Sequence, residues 1–79
     1  MAGVTTKTIM MNPGDVNAFV SAASRCEFEI DISNSNRFLV DAKSIVGVLG
    51  LDFTRPLYVS YSGFDSEFEA LLHKFACAC

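Results

Sequence analysis

The sequence predicts a two-layer α+β domain, and three observations carry that prediction. Apolar residues repeat with helical spacing over 16–25 and 66–75. Elsewhere, over 27–33, 38–42 and 57–61, they alternate one by one with polar residues. Turn and capping residues stand between these segments. The resulting order is β-α-β-β-α-β-α: four strands for one antiparallel sheet, and three helices to cover one of its faces.

Residues 4–11, "VTTKTIMM", are rich in β-branched side chains and carry no acid, which suits a first strand. "NPGD" follows at 12–15. Asn12 is a good N-cap, Pro13 fits the first helical position, and Asp15 favours the positive end of a helix. Val16, Phe19, Val20 and Ala23 then form one face of a helix running to about Arg25. From Glu27 the period becomes two. Phe28, Ile30 and Ile32 point one way, while Glu27, Glu29, Asp31 and Ser33 point the other. "NSN" at 34–36 supplies a turn, and Phe38, Val40 and Ala42 make the returning strand of a hairpin. "PLYVSY" at 56–61 is the last strand, with Pro56 tolerated at its first position. Gly63 turns the chain. Ser66 and Glu69 have the spacing of a capping box, and Phe68, Leu71, Leu72 and Phe75 give a closing amphipathic helix.

The stretch between the hairpin and the last strand, "DAKSIVGVLGL" at 41–51, has an excess of apolar width. On a helix, Ile45, Val46, Val48 and Leu49 span roughly 160°, and Leu51 widens it, whereas a helix lying on a sheet needs little more than about 100°. A short, nearly buried helix explains this; so does an exposed apolar patch of the kind that marks a partner surface. A strand is disfavoured by Gly47 and Gly50. Ser44 opens the run. It is placed either as a plain capping hydroxyl or as a residue whose phosphate a helix start would stabilise.

Size and charge exclude several functions. At 79 residues the chain is one domain over 1–79, with 76–79 expected to fray. The net charge is −3 and the six Lys and Arg are scattered, so no basic stripe exists for nucleic acid. No apolar run is long enough to insert in a membrane, and the N-terminus lacks signal-peptide character, so a cytoplasmic location is expected. Cys26 stands alone and Cys77 and Cys79 close the chain, which is no disulfide framework.

"KSIVGVLGL" followed by "VSYSGFDSEFEALL" resembles the phosphocarrier protein HPr of the bacterial phosphoenolpyruvate-dependent sugar phosphotransferase system. The resemblance runs from about residue 4 to 76 and shares the family's element order. It implies an open-faced β-sandwich and a non-enzymatic role in sugar transport or its regulation. By position, Ser44 matches the serine that a dedicated kinase phosphorylates in Gram-positive relatives. Ile45, Val46 and Leu49 match the residues that dock protein partners: enzyme I, sugar permease domains and a transcriptional repressor. Val48 and Leu51 would face inward.

The family's phosphoryl-carrying segment, Gly-x-His-x-Arg-Pro, is missing. Its place is taken by "MMNPGDV", with Asn12 at the histidine position, Gly14 at the arginine position and Asp15 at the proline position. No His or Arg lies between residues 1 and 24. Transfer to nitrogen needs a neutral imidazole and positive charge around the phosphate, and an amide beside a carboxylate offers neither. The expectation is a divergent HPr-like domain that carries no phosphate on histidine and acts through the segment after Ser44. The alternatives are a phosphocarrier with a displaced acceptor and a structural relative whose apolar helix seals a homodimer. Monomer and weak homodimer both remain open.

Other chemistry is thin. His73 falls beside the polar face of the last helix, next to Lys74, as a solvated side chain. His73, Cys77 and Cys79 supply too few ligands for a structural zinc, and no metal or cofactor is expected. Glu27, Glu29 and Asp31 read as solvated charge on the wet face of a strand.

Overall fold

The computed structural model describes residues 3–35 and 38–76. It is a small α+β domain with one four-stranded antiparallel sheet and three α-helices. The elements are β1 (Thr5–Ile9), a 3-10 turn (Pro13–Asp15) running into α1 (Val16–Ser24), β2 (Ile30–Asn34), β3 (Val40–Asp41), α2 (Ile45–Leu49), β4 (Leu57–Tyr61) and α3 (Ser66–Phe75). The strand order is β1-β4-β2-β3, so β4 enters between the first two strands and pairs with both.

The sheet has one apolar face because the register aligns the alternation in neighbouring strands. Ile9 lies across from Leu57, and Val59 across from Ile32. All four are fully buried, with Phe19 of α1, Val48 of α2 and Phe68 and Leu72 of α3 packed among them. Burial of these side chains supplies the main driving force, roughly 1.5–3 kcal/mol for each large one. Phe68 is the aromatic hinge of the core, with its ring 5.9 Å from Phe19 and 5.6 Å edge-on from Tyr61.

Four expectations need correction. The second strand begins at Ile30, not near Glu27, because residues up to Cys26 continue the end of α1: the Cys26 N–H donates to Ala23 O. Phe28 then folds back to stack on Tyr61 at 5.8 Å, over Gly63, where a Cβ would lie 2.5 Å from the Phe28 ring. Asn34 is a buried strand residue and no turn residue; its amide Nδ2 donates to Asp52 O and Pro56 O, and its Oδ1 accepts from Asp52 N–H. Of the expected turn at 34–36, Asn36 lies outside the described residues. The returning strand is only Val40–Asp41; Phe38 and Leu39 precede it, 92% and 64% exposed. The cap of α3 is Asp65, whose Oδ1 accepts from Phe68 N–H at 2.9 Å, and Ser66 is already inside the helix. The Glu69 carboxylate turns instead to the Tyr61 hydroxyl. The tail expected to fray, Cys77 and Cys79 included, lies outside the described residues beyond Ala76.

No helix among the described residues is long and apolar enough to cross a membrane.

Candidate interaction surface

Helix α2 is short, and its placement follows from its two neighbours. On the approach, Asp41 Oδ1 accepts from the Lys43 N–H at 2.9 Å, closing a tight turn. The Lys43 ammonium reaches Cys26 O at 3.0 Å, a cation at the carboxyl end of α1 where the helix dipole favours it. Ser44 then has extended backbone, and its Oγ accepts from Gly47 N–H at 3.1 Å. That is an N-cap in the ordinary sense: one of the unpaired amide groups of the first turn gains a partner.

Within α2 the inward positions are Gly47 and Val48. Val48 is fully buried, and Gly47 runs so close to β3 that a Cβ would lie 2.6 Å from Val40 Cγ1. Leu51, just past the helix, packs against the core half-buried. Ile45, Val46 and Leu49 are left outward, at 45%, 84% and 50% exposure. The excess of apolar width in this segment therefore divides into one anchoring side chain and three that meet solvent. No acid or base lies within α2, so its outward face is uniformly apolar.

Asn12, Gly14 and Asp15 sit at the start of the 3-10 turn ahead of α1. Asn12 and Gly14 are exposed and nothing approaches Gly14. The Asn12 N–H donates to Asp15 Oδ2 at 3.0 Å, and the Asp15 N–H donates to Asn12 O at 2.8 Å. A carboxylate thus holds the amide at this helix start, where an incoming anion would otherwise find a donor. No nucleophile or cation accompanies it in the sequence from residue 10 to 15.

His73 is exposed on α3 and borders a groove of about 560 Å³ with Lys7, Ser66 and Glu69. Lys7 reaches that groove because its partner across the ladder is Val59, which faces the helices. Among the described residues no three His, Cys, Asp or Glu side chains gather as a metal site. Cys26 is buried in the core, and burial pushes its thiol up from its ordinary range, with Asp65 adding to the shift.

Sequence reasoning did not single out Phe38 and Leu39 as surface residues. Their alternation with Val40 looked like continued strand, and only the shortness of β3 reveals them as exposed.

Comparison of the sequence with protein-family models and with curated proteins finds no match.

Proposed function

We propose that this chain is a divergent HPr-like interaction domain of the cytoplasm, one that docks protein partners through α2 and carries no phosphoryl group on histidine. The observation that carries the reading is the division of α2: of its four large side chains only Val48 is buried, and Ile45, Val46 and Leu49 face outward. A lone helix with that pattern spends apolar surface on solvent unless a partner covers it. The element order and the position of Ser44 as the cap of this helix support the same reading.

Ser44 is the proposed switch. A phosphate there would offer the Gly47 N–H a stronger acceptor than the hydroxyl, and would bring about two negative charges beside Ile45 and Val46. Partners that need an apolar face would be released, and partners with an arginine at the rim would be gained. The classes of partner that fit are a serine kinase, a sugar permease domain and a transcriptional regulator. The Asn12–Asp15 arrangement, with no His or Arg nearby in the sequence, supports the absence of phosphate transfer at the first helix.

Two arms test this. An HPr-type serine kinase with ATP should modify the wild type and leave Ser44→Ala unmodified. Enzyme I with phosphoenolpyruvate should leave the protein unphosphorylated, and an acid-labile, base-stable adduct would overturn the loss of phosphocarrier chemistry.

A further inference from the structure

Strand β1 and helix α3 run side by side and meet at their far ends, where the Met10 N–H donates to Phe75 O at 2.9 Å and Ile9 bridges Ala76. Ser66, Glu69, Ala70 and His73 recur at i, i+3, i+4 and i+7 along α3 and form one wall of the groove of about 560 Å³, and Lys7 of the edge strand β1 stands on the other. Ala70 and Ala76 are too small to fill the space between. Three groups able to hold charge, Lys7, Glu69 and His73, therefore border one hollow. Among the described residues no ion pair joins Lys7 to Glu69, and neither the Lys7 nor the His73 side chain has a hydrogen-bond partner. Glu69 is held in place by the hydroxyl of buried Tyr61, which donates to its Oε2 and leaves Oε1 for the groove.

We propose that this groove binds a small zwitterion, an α-amino acid with an apolar side chain. A lone anion would meet the Glu69 carboxylate and a lone cation would meet the Lys7 ammonium, whereas a ligand carrying both charges satisfies both walls. Its ammonium belongs at Glu69 Oε1, with the Ser66 hydroxyl one turn earlier as a second acceptor. Its carboxylate belongs between the Lys7 ammonium and the imidazole N–H of His73, one turn later. The apolar side chain then lies over Ala70 and Ala76, where the wall offers methyl groups in place of longer side chains. Lys7, Ser66 and His73 are exposed, and water weakens each charge pair, so the affinity is on the order of millimolar.

This inference does not rest on docking by α2, and the test separates them. Titrating the isotopically labelled full chain with L-leucine should shift the amide resonances of Lys7, Glu69, Ala70 and His73 saturably, and leave those of Ile45, Val46 and Leu49 in place. Isocaproate lacks the ammonium and isoamylamine lacks the carboxylate, and each should bind at least about tenfold more weakly than L-leucine. Lys7→Gln and Glu69→Gln should each weaken L-leucine at least about tenfold, and Val46→Asp should not. Lys7 is exposed, and Glu69→Gln keeps an acceptor for the Tyr61 hydroxyl, so both variants should fold, which the dispersion of their spectra checks. No saturable shift with L-leucine on the order of tens of millimolar, shifts confined to other residues, equal binding of isocaproate or isoamylamine, or indifference to Lys7→Gln overturns the proposal.

Discussion

Gly47 of α2 and Val40 of β3 are in direct contact across the helix–sheet interface, and a Cβ at Gly47 would come within 2.6 Å of Val40 Cγ1. Val is stiff at χ1 and cannot swing aside cheaply. Gly47→Ala therefore loses more from the clash than it gains in helix propensity. The expected cost is about 1–3 kcal/mol in urea unfolding, the reverse of the usual effect of Gly→Ala in a helix.

Asn34 ties the start of the loop after α2 to the end of β2 through three hydrogen bonds, to Asp52 O, Pro56 O and Asp52 N–H. Asn34→Leu leaves those groups without their partner in a buried place and should cost about 2–4 kcal/mol. Asn34→Asp should be at least as damaging, because a carboxylate would face two carbonyl oxygens. Chemical denaturation of the two variants checks both values.

Burial, and then the hydrogen bond to Glu69, raise the Tyr61 hydroxyl well above its ordinary pKa. The folded state thus favours the protonated phenol. Its contribution is complete below the unfolded value of about 10 and is lost progressively as pH rises from there. Wild-type stability should fall more steeply above pH ~10 than that of Tyr61→Phe, which lacks the group. Parallel curves for the two proteins would remove Tyr61 as the cause.

The two faces of α2 should respond oppositely to charge. Val48→Asp buries a carboxylate in the core and should cost about 4 kcal/mol or more, enough to unfold so small a domain. Val46→Asp places the same group in solvent and should change stability by no more than about 0.5 kcal/mol. Ser44→Ala loses the cap and should cost about 1 kcal/mol. Thermal unfolding of the three variants reads all of these.

The helices were legible because their signals are local. Val16, Phe19, Val20 and Ala23 recur at helical spacing, and four residues suffice to reveal it. Ser44 was legible as a cap for the same reason, since its acceptor bond spans only three residues. Asn34 was not, because its partners Asp52 and Pro56 stand 18 and 22 residues away while its turn propensity is local. Phe28 and Phe38 failed for a related reason. Alternation marks which way a side chain would point if a strand were there, and says nothing of whether a neighbour pairs with it. At the start of α3, Asp65 and Ser66 are adjacent capping residues, and only the extended backbone at Asp65 selects between them. Which side chains of α2 meet solvent depended on Gly47 lying against Val40, a contact the segment's own pattern does not encode.

The central claim is that α2, and no histidine chemistry, is the working surface of this domain. Titrating the isotopically labelled protein with an HPr-type serine kinase and following its amide resonances tests that claim most directly. The expected result is perturbation centred on Ser44, Ile45, Val46 and Leu49, abolished in Val46→Asp while the rest of the spectrum is retained. Unmoved α2 resonances at saturating kinase, whether or not others shift, would contradict it.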